Sequence, residues 1–341
     1  MVAAPGGAAA LAVEARDLTH RYGEREALRG VSFEVRAGEV FGVLGPNGGG
    51  KSTLFRILST MVAPTEGALS LLGRDPLREG GAVRRELGVV FQSPSLDLML
   101  TARENLLHQG HLYGLHGHAL SLRMDALLCG VGLAERARER VERFSGGMRR
   151  RLEIAKALLH APRLLILDEP STGLDPGARR DLWKQLHRLR DEQGVTVLLT
   201  THLMDEAEHC DRILLLDRGR RVALDAPASL KAQVGGDVVT ADASEPEALA
   251  EEAAARFGVQ ASVVAGRVRV ERERGHELAA ALVEAFPGRI RAISIGKPTL
   301  EDVFLDLTGR RFEEAHAEGS TDAPTRGRRR GRRSGAGEQA A

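Results

Sequence analysis

Short apolar, β-rich runs alternate with stretches of helical periodicity through the first two thirds of the chain. VSFEV (31–35), VFGVLG (40–45), LGVVFQ (87–92), LLILD (164–168), VTVLLTT (195–201) and RILLLD (212–217) read as strands. Short apolar runs separated by helical stretches are the pattern of an α/β sheet. Between Gln92 and His160 the strand pattern stops. TARENLLHQGHLYG, LRMDALLCGVG and the stretch after Ser145 read as helices. A helical subdomain, about 93–160, is therefore inserted into an α/β core spanning 11–235.

From 236 to 310 the pattern changes. DVVTADA reads as a strand, EPEALAEEAAARFG as a helix and VQASVVAGRVRVERE as a hairpin around Gly266. HELAAALVEAF then reads as a helix and IRAISIG as a strand. The order βαββαβ predicts a small accessory α+β domain of the split βαβ type. PTLEDVFLDLTGR closes it with a helix capped by Thr299, with acids in the first turn. Residues 1–10 are interrupted by Pro5, Gly6 and Gly7 and read as a disordered N-terminus. Residues 311–341 have few core-forming side chains and read as a disordered, Arg-rich tail. The arginine run at 326–333 is either a solvated tail or a contact for anionic lipid or RNA.

Composition changes this picture little. The net charge of +1 gives no bulk pull toward nucleic acid or anionic lipid, and no specific nucleic acid is expected as a partner. The two cysteines, Cys129 and Cys210, lie far apart without metal-ligand spacing, as reduced structural thiols do. No apolar run approaches the ~18 residues of a spanning helix, and the N-terminal stretch lacks a basic leader segment. Arginine far outnumbers lysine, which a GC-rich coding sequence explains.

Charge pattern and glycine spacing carry the chemistry. GPNGGGKST (45–53) follows an apolar strand and precedes a helix, the context that gives G-x-x-x-x-G-K-[ST] its meaning. Gly45, Pro46, Asn47, Gly48, Gly49 and Gly50 form a loop whose N–H groups can curl around phosphates. Lys51 can reach the β- and γ-phosphates, Ser52 can hold Mg²⁺, and Thr53 completes the motif. LLILDE (164–169) ends a buried strand in two acids. Asp168 can complete the metal site, and Glu169 can polarise a water. FSGGM (144–148) opens a helix with Ser145 as N-cap and Gly146 and Gly147 leaving N–H groups bare. The chain already has one phosphate cradle. This second anion-binding terminus therefore suits a nucleotide held by a partner's Lys51 loop, although a simple glycine-containing helix start has the same appearance.

The full set resembles the ATP-binding subunits of ABC transporters across residues 11–225. FSGGM is similar to the family signature, STGLD (171–175) to its D-loop, and Gln92 after LGVVF to its Q-loop glutamine. His202 in TTHLMDEAE is similar to the switch histidine, and Tyr22 in THRYG to the aromatic that stacks on adenine. The resemblance implies a P-loop ABC ATPase fold and head-to-tail homodimers that sandwich ATP and Mg²⁺. Glu169 would be the catalytic base, His202 would contact the γ-phosphate, and Gln92 would sense the metal and the membrane partner. Asp175 of the D-loop would join the nucleotide site. Three positions depart from the pattern: Phe144 and Met148 in the signature, and Gly49, where Ala, Ser or Cys is usual. The extra glycine predicts a looser loop.

Residues up to about 310, with their closing PTLEDVFLDLTGR, resemble the daunorubicin/doxorubicin-resistance type of exporter ATPase. That implies a separate multispanning permease as partner and a peripheral place on the cytoplasmic side of the cell membrane. The expected function is to drive efflux of a hydrophobic drug or antibiotic. Lipid or glycan export is the alternative cargo class. A non-transport ABC ATPase on ribosomes or DNA is the alternative of another class. Members that act on ribosomes usually carry two cassettes, and repair-type members carry a long coiled-coil insertion; this chain has neither feature. An interaction module without catalysis fits poorly with intact Lys51, Asp168 and Glu169.

Overall fold

In the computed structural model of the protein, residues 10–321 are described, with side chains through 317. The expectations for the first nine residues and for the arginine run at 326–333 lie outside the described residues. The central sheet has the order β5 (Leu87–Val90), β6 (Leu164–Asp168), β7 (Thr196–Thr201), β3 (Val40–Leu44), β8 (Arg212–Asp217), β9 (Arg220–Asp225). The first five strands are parallel, and β9 returns antiparallel to β8. These strands are apolar throughout because both faces are covered. Val40, Leu165, Leu199 and Leu215 face one core, while Phe41, Ile166, Leu198 and Leu214 face the other.

The second of these cores is closed by an antiparallel sheet, β2 (Arg25–Arg36), β1 (Leu11–Tyr22), β4 (Glu66–Leu71). Phe33 of β2 stacks on Phe41 of β3 with ring centroids 5.8 Å apart. Helix α1 (Lys51–Leu58) lies between the sheets and buries Leu54, Phe55, Ile57 and Leu58. Helix α2 (Pro76–Arg85) leads into β5. On the opposite face sit α3 (Ala102–Leu112), α4 (Gly117–Gly130), α5 (Gly146–Ala157) and α6 (Pro176–Gln193). Short α7 (Met204–Ala207) follows β7, and α8 (Pro227–Val234) follows β9.

The C-terminal unit is β10 (Asp237–Ala243), α9 (Pro246–Phe257), β11 (Ala261–Val264), β12 (Arg267–Arg272), α10 (Gly275–Ala285), β13 (Ile290–Gly296). Its antiparallel sheet has the order β11-β12-β10-β13 and its own core, built on Val239, Leu249, Val268 and Leu282. Gly266, at a φ of 70°, turns the β11–β12 hairpin.

Two boundaries differ from expectation. Helix α11 (Leu300–Thr308) begins with the expected Thr299 cap, but its Leu300, Val303 and Phe304 pack into the core of the large domain. The accessory unit therefore ends near 296 and not at 310. Residues 312–321 form a helix, α12 (Phe312–Thr321), where disorder was expected. Phe312 and Ala315, three residues apart, are enough to seat one face in the same core. The ring of Phe312 meets that of Phe304 edge-on at 5.1 Å.

Candidate functional site

The phosphate loop leaves β3 at Gly45 and enters α1 at Lys51. A Cβ at Gly45 would lie 2.2 Å from the Leu216 carbonyl oxygen, so no side chain fits there. Gly50 adopts a φ of 109°, which L-residues avoid, and caps α1. Gly49 has a steric reason of its own: a Cβ would sit 3.0 Å from the Pro46 oxygen and 3.1 Å from that of Leu216. Its N–H donates to Pro46 O and its carbonyl accepts from Gly219 N–H. The loop is thus tied down at the position where the sequence predicted looseness. Ser52 is exposed in the first turn of α1, and Thr53 is buried behind it. Lys51 is buried and donates from Nζ to Gly45 O at 2.7 Å and Pro46 O at 3.0 Å. Burial pushes its ammonium below the ordinary lysine value, against the pull of Glu169 and Asp168.

Glu169 gathers the predicted residues. Its carboxylate accepts from Gln92 Nε2 at 3.1 Å and from Thr172 Oγ1 at 3.3 Å. His202 Nδ1 lies 3.1 Å away and Lys51 Nζ 3.9 Å away. Burial works to raise this carboxyl, but His202 and Lys51 outweigh it and hold it below the ordinary glutamate value. Asp168, one residue earlier, accepts from Thr200 Oγ1 at 2.6 Å, and burial raises its carboxyl. Glu169 itself has a φ of +43°, strained for a residue with a Cβ. Its N–H bonds to Thr200 O and Oγ1 hold it there.

The remaining predicted residues lie around this centre. Ser145 caps α5, accepting from Met148 N–H at 3.3 Å, and is exposed with Gly146. A Cβ on Gly147 would stand 3.0 Å from that of Ala178, so the signature turn rests against the start of α6. Asp175 is the N-cap of α6, accepting from Gly177 and Ala178 N–H at 2.9 Å. Tyr22 ends β1, exposed, its hydroxyl 3.5 Å from Arg56 Nη1 of α1.

Several residues in the same network were not singled out from sequence. Arg150 of α5 is buried and donates to Phe91 O, Glu153 Oε2 and Glu169 O. Glu153 accepts from Ser95 N–H. The helix that begins with the signature is thereby wired to the segment around Gln92 and to Glu169 at the end of β6. The signal in the sequence was an i,i+3 Arg–Glu pair inside a basic helix, which by itself reads as a solvated face. Glu206 and His316 also converge here; Glu206 lies within TTHLMDEAE, whereas His316 falls in a stretch read as tail.

The half-buried Asp168 carboxylate, the exposed Ser52 hydroxyl at a helix start and the Gln92 amide match the donor set of a Mg²⁺ site completed by phosphate. Among the described residues, no group of three His, Cys, Asp or Glu is arranged to hold a metal ion. Among the described residues, no helix is long and apolar enough to cross a membrane.

The ABC transporter family pattern matches residues 28–172. The Nod factor export ATP-binding protein I of Rhizobium johnstonii is 38% identical over 91% of this chain and 98% of its own length. The daunorubicin resistance ATP-binding protein DrrA3 of Streptomyces coeruleorubidus is 40% identical over 86% of this chain and 96% of its own. Among solved structures, an ATP-binding subunit of an ABC transporter is 32% identical, with a TM-score of 0.59 over 65% of this chain and 92% of that one. The ATP-binding cassette MJ0796, in a dimeric post-hydrolysis state with ADP and Pi, is 30% identical, with a TM-score of 0.57 over 63% of this chain and 98% of that one.

Proposed function

Since the chain belongs to the ATP-binding proteins of ABC transporters, we propose that it is the ATP-hydrolysing subunit of a bacterial exporter. It drives efflux of a hydrophobic drug or antibiotic through a separate multispanning permease. It works as a homodimer held at the cytoplasmic side of the cell membrane by that permease. The observation that carries the reading is the single carboxylate of Glu169, met by Gln92, His202 and Lys51 from three distant segments and by Thr172 of its own turn.

The division of labour follows from the chemistry. N–H groups of the 45–53 loop and the start of α1 cradle the phosphates. Lys51 neutralises charge on the β- and γ-oxygens. Ser52, Gln92 and Asp168 would hold Mg²⁺, which when bound neutralises charge that develops across the phosphates. Glu169, kept ionised by His202 and Lys51, orients the attacking water and takes its proton. His202 donates to the γ-phosphate. Ser145, Gly146 and Gly147 cap the γ-phosphate of the nucleotide held by the partner, and Asp175 lies beside that seam. Tyr22 stacks on adenine.

Relatives named for Nod factor export and for daunorubicin resistance match at nearly the same identity, so lipid or glycan cargo remains the second reading. Purified protein should turn over ATP, with Lys51→Ala abolishing nucleotide binding or turnover. Glu169→Gln should keep ATP binding and lose about 10²–10⁴ in turnover. Near wild-type turnover in Lys51→Ala sinks the phosphate cradle, and in Glu169→Gln it sinks the general base. For the dimer, Ser145→Arg and Lys51→Ala chains, each inactive alone, should regain partial turnover when mixed, because one site in the heterodimer is intact. Wild-type turnover by Ser145→Arg alone would make the signature an ordinary helix cap.

A further inference from the structure

Glu206 of α7 is 1% exposed and makes two contacts that join separate loops. One oxygen accepts from the Ser171 hydroxyl in STGLD, and the other from Thr201 Oγ1 at 2.6 Å. Thr201 Oγ1 in turn accepts from Leu203 N–H at 3.0 Å, which shapes the turn carrying His202. Arg179 Nε of α6 lies 3.8 Å from the Glu206 carboxylate. Each loop delivers a neighbour of Glu169: Thr172 follows Ser171, and His202 follows Thr201. A buried carboxylate shared by two hydroxyls has little freedom to move.

We propose that Glu206 is a positioning residue that holds Thr172 and His202 at fixed places on either side of Glu169. It acts through the two loops that its carboxylate joins. This rests on the hydrolytic reading above, and wild-type turnover is the control that separates the two: no turnover by wild type overturns that reading before any variant is compared. Glu206→Ala should lower kcat about 10- to 100-fold through misplacement of the base and the histidine. KM for ATP should stay within about twofold, because the phosphate loop is untouched. Glu206→Gln keeps the length and can still meet both hydroxyls, which rotate to donate or accept. It should restore most of kcat. Should Glu206→Ala fold poorly, Ser171→Ala removes one of the two links with one oxygen atom and should lower kcat in the same sense. Unchanged kcat in whichever of these two variants folds, or an equal loss in Glu206→Gln and Glu206→Ala, overturns the proposal.

A separate observation concerns α12. Its docking is built from Arg310, whose Nη2 pairs with both oxygens of Asp217 at 2.6 and 2.7 Å, and from buried Phe312 and Ala315. This brings His316 onto the phosphate loop. Asn47 N–H donates to His316 Nδ1 at 3.2 Å, and Asn47 Nδ2 lies 3.0 Å from Nε2. A neutral imidazole accepts at one nitrogen only, so one of these contacts is a hydrogen bond at a time. The imidazole also stands 5.1 Å, centroid to centroid, from His202. Burial first, then His202 and Lys51, push its pKa below the ordinary histidine value against the pull of Glu169, the direction that favours an accepting ring.

The geometry points to α12 as an intramolecular latch on the phosphate loop. His316 takes a loop N–H that a phosphate oxygen takes when nucleotide is bound, so nucleotide and α12 compete. Binding then carries a penalty set by the fraction of chains with α12 released. In the full-length chain, His316→Ala should tighten the Kd for a fluorescent ATP analogue about three- to tenfold. Amide hydrogen exchange over 312–321 should rise when the wild type is saturated with ADP. An unchanged or weaker Kd in His316→Ala, or exchange over 312–321 that stays level or falls with ADP, overturns the latch. The exchange measurement stands even where the variant is unstable.

Discussion

Glu169 sits in a backbone conformation that costs about 1–3 kcal/mol for a residue with a Cβ, at a φ of +43°. Thr200 is what keeps it there. Its carbonyl and hydroxyl take the Glu169 N–H, and the hydroxyl also donates to Asp168. One threonine thereby orients Asp168 and Glu169 together. Thr200→Val keeps shape and β-propensity but removes the hydroxyl. We expect turnover to fall at least about tenfold and half-maximal activity to need more Mg²⁺. A magnesium titration of steady-state turnover checks this; an unchanged curve would mean that the strand alone places both acids.

At the scale of elements, α5 is the member that joins subdomain to core. Arg150 and Glu153 are both buried and paired at 3.0 Å, and each also bonds to the segment following β5. Removing one partner of such a pair leaves an uncompensated buried charge and costs about 3–5 kcal/mol, whereas replacing both with apolar groups is often neutral. Arg150→Met should therefore lower stability by about that amount. Arg150→Met/Glu153→Met should recover much of it, while turnover stays low because the ties to Phe91 and Glu169 remain cut. Urea unfolding and steady-state turnover of both variants separate the two effects. Recovery of turnover along with stability would reduce Arg150 to packing.

At the scale of the whole molecule, α11 binds the C-terminal end of the chain to the large domain. Phe304 is fully buried in the core that also holds Trp183, the only tryptophan. Phe304→Ala removes a ring from that core at a cost of about 3–5 kcal/mol. The expected reading is a lower unfolding midpoint by Trp183 fluorescence, with the small sheet's own core on Val239 and Leu282 undisturbed. An unshifted midpoint would put α11 with the accessory unit after all. A chain ending at Gly235 would expose the surface that α11 covers, so truncation there should destabilise the ATPase unit and not merely shorten the chain.

Local pattern determined much of this protein. Apolar runs bounded by turns marked the central strands because both faces of that sheet are covered, and period and β-propensity agree there. Lys51, Ser52, Asp168 and Glu169 could be singled out because loop-bound chemistry depends on residue type at fixed spacing, whereas Gln92 and His202 stood out only through the family resemblance, and the fold brings both against Glu169. The Thr299 cap was legible too, since it is made within four residues. Tertiary structure decided what depends on contacts between distant segments. The helix at 312–321 has just two described core side chains, Phe312 and Ala315, and exists as an element because a distant core receives them. Glu206 and Thr200 carry no spacing signal, since Ser171, Asp168 and Glu169 lie on other loops and strands, and the i,i+3 spacing of Arg150 and Glu153 says nothing of their ties to Phe91 and Ser95. The strain at Glu169 is likewise invisible in DEP, because the bonds that hold it come from Thr200, across the sheet.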